Sequence, residues 1–203
     1  KKKGVRKIAT TGIWKIEKRL DNVIDYTTNI EKTINSDYGK DSYYDLHNVI
    51  DYVEADYKTE KQFYVSGVNC NPKTALEEMT ITKEQYGKTG GILGFHAFQS
   101  FAEGEVTPEQ CHAIGVRLAE EMWGDRFEVV VSTHLNTNHY HNHFVINSVS
   151  FKDGKRYYDK RETYAELRRL SDSICEEYGL SKLKEKSCKR SKINYANYQK
   201  GNF

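Results

Sequence analysis

The sequence lacks the features that mark membrane-spanning, secreted or multidomain proteins. Its 203 residues include only two prolines, both at expected helix starts, so no proline-rich linker divides the chain. No apolar run approaches the roughly 20 residues of a membrane-spanning helix, and no signal peptide is visible, so we expect no membrane insertion. The four cysteines are widely spaced and form no CxxC pair, which indicates reduced thiols in a cytoplasmic protein.

A strong overall charge is also missing, because the formal net charge is only +2. Basic residues are instead concentrated at the two ends of the chain, and the stretch 181–203 carries a single acidic residue, Glu185. Basic ends with interleaved tyrosines suit a polyanion such as nucleic acid, with solvated tails as the alternative. We therefore divide the chain into a domain of residues 1–180 and a basic C-terminal segment, residues 181–203, that we expect to lead into further domains.

Hydrophobic periodicity predicts strands alternating irregularly with helices. The predicted strands are Ile8–Ile16, Gln62–Asn69, Ile92–Phe101 and two further runs around residues 129–151. A transition from strand to helix is the alternative for Ile8–Ile16. The predicted helices are Lys15–Thr28, Leu46–Tyr57, one from Pro72 to Tyr86 capped by Asn71, one that starts with a Thr107–Gln110 capping box and stops at Gly124, and Glu162–Tyr178. Strands joined by helices without a strict βαβ rhythm predict an α+β domain, in which a central antiparallel sheet carries helices packed mainly on one face.

Four of the seven histidines fall within ten residues, between two alternating runs of the stretch from Val129 to Phe151. If these runs pair as a hairpin through residues 136–140, His134 on one strand and His141 and His143 on the other share a face. The spacing of His139 places it in the turn. Three neutral imidazoles on a rigid sheet favour a divalent transition metal with open coordination positions, whereas an isolated histidine is usually packed or solvated.

Three segments, in order, resemble the motifs of conjugative relaxases of the mobilisation-nuclease family, MOBP type, within the HUH endonuclease superfamily. The segments read DYTTNIEKT from Asp25, HAFQSFAEGE from His96 and THLNTNHYHNHF from Thr133. The resemblance implies that Tyr26 is the nucleophile and that His134, His141 and His143 hold the metal. The expected ion is Mn²⁺ or Mg²⁺, with Zn²⁺ or another transition metal as alternatives.

The chain departs from the family pattern at two positions. Asn136 stands where the family carries an aspartate that orients a ligand imidazole or the tyrosine, so this position keeps a hydrogen-bond acceptor but loses a charge. Asn142, between the last two histidines, replaces the bulky apolar residue of the family. By residue type alone Tyr26 has rivals, which are Tyr43, Tyr44, Tyr52, Tyr57 and Tyr64.

Several further side chains have two interpretations each. Glu105, or Glu103 beside it, either orients the nucleophile or a ligand or caps the following helix. Ser100, Gln99 and Lys32 are candidate contacts to DNA phosphates, with a solvated lysine as the alternative for the last. His96 is either a packed strand histidine or a fourth ligand.

The function that the resemblance implies is a metal-dependent nickase and strand transferase. Such an enzyme cleaves single-stranded DNA at the transfer origin of a mobile element and stays attached through a 5′-phosphotyrosine bond. A coupling protein and an accessory DNA-binding protein are the further partners implied. The alternatives are a rolling-circle replication initiator, a catalytically silent DNA-binding domain with a structural metal, and an unrelated metal hydrolase.

Overall fold

A computed structural model of the chain describes residues 9–33 and 64–180. These residues form one antiparallel sheet of five strands and five helices. The strands are β1 Thr10–Ile16, β2 Val65–Val68, β3 Gly94–Ser100, β4 Val129–His134 and β5 His141–Asn147. The helices are α1 Leu20–Thr27, α2 Ile30–Thr33, α3 Ala75–Gln85, α4 Pro108–Trp123 and α5 Arg161–Glu177.

The strand order in the sheet is β1-β3-β5-β4-β2, so the predicted hairpin of β4 and β5 lies at its centre. Within the hairpin His134 pairs with His141 and Ser132 with His143. On the other side of β5, Phe98 of β3 lies opposite His143. Because side chains alternate along each strand, this register puts all three predicted ligands on one face of the sheet.

Helices cover both faces of the sheet. The two longest helices, α4 and α5, pack on what we term the α4 face, where Ile114, Leu118 and Leu167 meet strand residues such as Val131 and Phe144. The opposite, α1 face carries a smaller apolar cluster, formed by Ile16, Leu20, Ile24, Ala75, Met79, Val130 and Val145. The α+β class and the antiparallel sheet are thus confirmed, and the shorter helices α1 and α3 add a second layer over the triad side.

Two predicted helix starts were placed too early. Lys15 and Ile16 pair with Phe95 and Gly94 as the end of β1, so the first helix begins at Leu20 rather than at Lys15. Pro72 lies in a turn that the Asn71 side chain closes by accepting from the Lys73 amide (3.0 Å), and α3 begins after it, at Ala75. Local amphipathic spacing cannot register pairing with a distant strand, which explains the first difference.

The helix predicted to start at the capping box is confirmed. The Thr107 hydroxyl accepts from the Gln110 amide, the Gln110 side chain accepts from the Thr107 amide, and α4 stops at Gly124. Cys111, Ile114 and Leu118 are buried as expected, and Trp123 rather than Met122 completes the buried stripe. No helix among the described residues is both long and apolar enough to cross a membrane. The predicted helix Leu46–Tyr57 and the basic segment 181–203 lie outside the described residues.

Candidate active site

The three predicted ligands converge on the α1 face of the sheet. His134 ends β4, while His141 and His143 open β5, and all three side chains are buried. Their ring centroids lie 4.3 Å (His134–His143), 5.0 Å (His141–His143) and 5.2 Å (His134–His141) apart. One ring nitrogen of each residue lies within 4.8 Å of the corresponding nitrogens of the other two. The sheet therefore brings together a potential three-nitrogen metal site.

Backbone carbonyls determine which nitrogens face the centre of the triad. His134 Nε2 lies 2.9 Å from the Thr27 carbonyl oxygen, and His141 Nδ1 lies 2.8 Å from the His139 carbonyl oxygen. A carbonyl only accepts, so each of these nitrogens must carry the proton, and the other nitrogen of each ring keeps its lone pair. His134 Nδ1 and His143 Nε2 face one another at 3.1 Å. Two nitrogens bonded to one tetrahedral ion at about 2.0–2.1 Å lie about 3.3 Å apart, so this spacing fits a shared ion.

Burial keeps the triad neutral. Desolvation lowers the pKa of His134 to about 3, and it holds the pKa of His141 and His143 below the ordinary value for histidine. For His134 and His143, neighbouring imidazoles of the cluster lower the pKa further. A neutral imidazole is the form that binds a metal, so no proton has to be displaced at physiological pH. The donor chemistry, the protonation and the 3.1 Å spacing between His134 and His143 fit a divalent ion.

Tyr26 lies directly beside the triad. It sits in the last turn of α1, half-buried, with its ring centroid 5.7 Å from that of His134 and 6.0 Å from that of His143. The next residue, Thr27, supplies the carbonyl that holds His134, so the end of α1 is tied to the site. The Lys32 ammonium lies 3.5 Å from the centroid of the Tyr26 ring, and burial lowers the pKa of this lysine.

The rival nucleophile Tyr64 lies elsewhere. Its side chain is 4% exposed, and its hydroxyl donates to Glu109 Oε1 of α4 at 2.6 Å. Its ring also packs against His112, at a centroid distance of 5.6 Å, on the α4 face. Among the described tyrosines proposed as nucleophiles, Tyr26 is therefore the one beside the triad. Tyr43, Tyr44, Tyr52 and Tyr57 lie outside the described residues.

The three predicted phosphate contacts divide between the two faces. Ser100 pairs with His141 across the strands and lies half-buried on the triad face, and Lys32 lies beside Tyr26. Gln99 points to the α4 face, where it is fully buried and donates to Ser171 Oγ of α5 at 2.8 Å. Its position corrects the expectation of a DNA contact from Gln99, because adjacent strand residues point to opposite faces.

The two remaining candidate residues stand apart from the triad. Glu105 closes its own loop by accepting from the Ala102 amide at 3.1 Å. Burial, together with the charges of Asp172 and Glu105, raises the pKa of Cys175 in α5. Asn136 is exposed in the hairpin loop, and within residues 9–33 and 64–180 no hydrogen bond joins its side chain to the histidines. The structure thus brings Tyr26, Lys32 and Ser100 to the triad, and leaves Glu105 and Asn136 outside it.

Sequence reasoning missed the role of Asn142, which anchors the hairpin from behind. Its amide donates to Gln99 Oε1 (3.1 Å) and to the Cys111 carbonyl (2.8 Å), and its oxygen accepts from the Thr133 hydroxyl (2.6 Å). These bonds connect β5 to β3, β4 and α4 on the α4 face, directly behind His141 and His143. The unusual polar residue between two histidines was the signal available in the sequence.

The chain is similar to known proteins in both sequence and fold. Residues 29–180 match the family model described as "Relaxase: MobA/VirD2-like, nuclease domain". Protein rlx of Staphylococcus aureus is 40% identical over 136 residues, which are 67% of this chain and 42% of that protein. The group II intron-interrupted relaxase LtrB of Lactococcus lactis subsp. cremoris is 30% identical over 223 aligned positions, covering 90% of this chain and 38% of that protein. The chain thus spans about two fifths of the length of these curated relatives.

Two solved structures share the fold. One is described as the MobM relaxase domain (MOBV; Mob_Pre) bound to 26-nucleotide pMV158 oriT DNA, with a TM-score of 0.54 and 13% identity over 94% of this chain and 99% of that chain. The other is described as the molecular basis of vancomycin resistance transfer in Staphylococcus aureus, with a TM-score of 0.55 and 10% identity over 88% of this chain and 99% of that chain. At these identities the likeness shows the architecture of the sheet and its helices.

Proposed function

Because this chain belongs to the MobA/VirD2-like relaxase family, we propose that it nicks one DNA strand at the transfer origin of a conjugative or mobilisable element. The cut strand is held by a covalent bond between Tyr26 and the 5′-phosphate. The observation that carries the proposal is the position of the Tyr26 ring, whose centroid lies within 6.0 Å of the ring centroids of both His134 and His143 and 3.5 Å from the Lys32 ammonium.

The chemistry assigned to Tyr26 is a transesterification. The Tyr26 oxygen attacks the scissile phosphorus, a tyrosyl–phosphate bond forms, and the bond from phosphorus to the 3′ oxygen breaks. The phenol proton is released to solvent and the departing 3′ oxygen takes one up, so the ester bond is exchanged rather than hydrolysed. A phenol has an ordinary pKa of about 10, so Tyr26 needs a cationic environment to react as phenolate. The Lys32 ammonium is one such positive charge beside its ring.

A divalent ion held by His134, His141 and His143 would polarise the scissile phosphate and offset its developing negative charge. The rival interpretation, a structural metal in a silent DNA-binding domain, needs a closed fourth ligand. In the part of the chain that the structure describes, the cluster contains the three histidines and no cysteine or carboxylate. An open coordination position favours catalysis over a structural role.

A covalent-trapping assay tests the proposal. The full chain is incubated with Mn²⁺ and single-stranded oligonucleotides that tile the transfer region of its element, and adducts are resolved on a denaturing gel. We expect one adduct that disappears with EDTA and in Tyr26→Phe. The matched control is Tyr64→Phe, which removes the hydroxyl of a buried tyrosine on the opposite face and should leave the adduct in place.

The outcomes separate the alternatives. An adduct that persists in Tyr26→Phe moves the nucleophile to another residue. Cleavage without any adduct, unchanged in Tyr26→Phe, indicates a metal hydrolase. Metal binding without cleavage of any tile indicates the silent DNA-binding domain, and cleavage confined to a replication origin indicates a rolling-circle initiator.

We propose that residues 1–180 form the nicking unit and that the basic segment 181–203 connects it to further domains and binds the phosphate backbone. A coupling protein and an accessory DNA-binding protein of the transfer machinery are the proposed protein partners, and the cytoplasm is the proposed location. A salt titration of oligonucleotide binding by the full chain and by residues 1–180 tests the role of the basic segment. The shorter chain should show a weaker dependence on salt, because it neutralises fewer phosphates and releases fewer counterions.

A further inference from the structure

His96 lies in the strand beside the metal-binding hairpin. It is the third residue of β3, 2% exposed, and its side chain points to the triad face. Its Nε2 atom is 2.9 Å from Nδ1 of His143, and the two ring centroids are 5.0 Å apart with an interplanar angle of 34°. His96 therefore contacts His143 at Nδ1, the His143 nitrogen that faces away from the centre of the triad.

Two imidazole nitrogens at hydrogen-bond distance must share one proton, so one donates and the other accepts. His143 Nε2 faces His134 Nδ1, inside the triad, and can bind a metal only with its lone pair free. The proton of a neutral His143 must then sit on Nδ1, which leaves His96 Nε2 as the acceptor. His96 suits this role because its side chain is only 2% exposed and its Nε2 lies within 2.9 Å of His143 Nδ1.

The other two triad histidines are held by the main chain. The Thr27 carbonyl accepts from His134 and the His139 carbonyl accepts from His141. The partner of His143 is instead a side chain, which substitution can change. Position 136, where the family carries an aspartate, is an exposed asparagine in this chain, so no carboxylate at that position orients the triad.

We propose that His96 is a positioning residue, whose neutral Nε2 accepts the Nδ1–H of His143 and thereby holds that ligand in its metal-binding tautomer and orientation. The inference rests on the metal site of the proposed function. A partner of this kind, acting on a ligand from outside the coordination shell, typically changes metal affinity by about 10- to 100-fold.

The test compares Mn²⁺ binding to the full chain by isothermal titration calorimetry in three variants. His96→Phe keeps a ring of similar size and removes the acceptor, and we expect a 10- to 100-fold weaker affinity. His96→Gln places an amide oxygen near the position of Nε2 and should restore most of the affinity. The matched control, His112→Phe, removes another imidazole with a pKa lowered by burial to about 4, but on the α4 face, and should bind Mn²⁺ as the wild type does.

Nitrogen-15 NMR of the wild-type chain loaded with Zn²⁺ provides a test without substitution. It shows which nitrogen of His143 carries the proton, even if His96→Phe does not fold. We expect a protonated Nδ1 in His143, with its proton coupled across the hydrogen bond to His96. Unchanged Mn²⁺ affinity in His96→Phe, or a His143 that binds Zn²⁺ through Nδ1, overturns the inference while leaving the relaxase proposal standing. A wild-type chain that binds neither ion overturns the metal site and this inference together, whereas Tyr26 adduct formation tests the nuclease separately.

Discussion

Substitution of Asn142 by alanine should destabilise the whole domain, because this buried side chain makes hydrogen bonds to two neighbouring strands and to helix α4. It lies fully buried on the α4 face and makes hydrogen bonds to Gln99, Cys111 and Thr133 at 2.6–3.1 Å. Each buried polar group left without a partner costs about 1–3 kcal/mol. The Thr133 hydroxyl keeps a contact with His112 at 2.8 Å, whereas Gln99 keeps the bond from its Nε2 to Ser171 but loses the bond that its Oε1 accepts from Asn142. We therefore expect a loss of about 3 kcal/mol rather than the full sum over three groups.

The measurement is urea denaturation of the wild type and Asn142→Ala, monitored by circular dichroism. In thermal melts, a loss of about 3 kcal/mol corresponds to a fall in Tm of about 6–12 °C for a domain of this size. Asn138→Ala is the matched control, because Asn138 is exposed in the hairpin loop and its substitution should cost less than about 0.5 kcal/mol.

A double-mutant cycle with Thr133→Val isolates the contact between β4 and β5. The coupling energy between positions 133 and 142 should be about 0.5–3 kcal/mol, the range for residues in one hydrogen-bond network. If Asn142→Ala unfolds at the same urea concentration as Asn138→Ala, the network behind the triad contributes nothing and the reasoning is refuted.

Three further predictions concern packing, charge and metal. Gly12→Ala should lower the unfolding free energy by about 1–3 kcal/mol, because the added methyl group meets the Phe98 ring. Gly90 has open space around it, so Gly90→Ala should change the unfolding free energy by less than about 0.5 kcal/mol. Equal effects of the two substitutions in urea denaturation contradict this explanation. Burial lowers the pKa of Lys83 to about 8 from 10.5, so the folded state binds fewer protons than the unfolded state between these pH values, and stability rises with pH. Between pH 7.5 and 9.5 the unfolding free energy of the wild type, measured by urea denaturation, should rise by on the order of 2 kcal/mol relative to that of Lys83→Met. A difference between the two proteins that does not change with pH rules out the lowered pKa of Lys83. Mn²⁺ at about 100 times its Kd should stabilise the folded chain by about 2.7 kcal/mol in thermal melts. EDTA and His141→Ala should each abolish this stabilisation. A Tm that does not change when Mn²⁺ is added argues against the metal site.

The central hairpin could be predicted from the sequence because the alternation of side chains that indicates it is a local pattern. Alternation of side chains places His134 on the same face as Val130, and His141 on the same face as His143, whatever the rest of the fold does. The capping box at Thr107 and the stop at Gly124 are likewise decided by neighbouring residues, and both agree with the structure. Tyr26 was selected among several tyrosines by resemblance, and its distance to the triad became visible only in the fold.

Other assignments failed because they depend on contacts between distant segments. Gln99 and Ser100 are neighbours in sequence, but the sheet sends one to the α4 face and the other to the triad. The sequence patterns of a strand and of a helix overlap at Lys15 and Ile16, and the pairing of Lys15 with Phe95, a residue far away in the chain, is what assigns them to β1.

The sequence by itself determined the three candidate metal ligands and a set of candidate nucleophiles, because residue type and strand periodicity are local properties. The tertiary structure alone decided which tyrosine among the described residues lies beside the histidines, and which side chains pack against the strands that carry them. His96 and Asn142 acquire these positions through strand pairing, β3 beside β5 and β5 beside β4. Hydrogen bonds of about 3 Å between such partners depend on the register of the whole sheet, which no local pattern specifies.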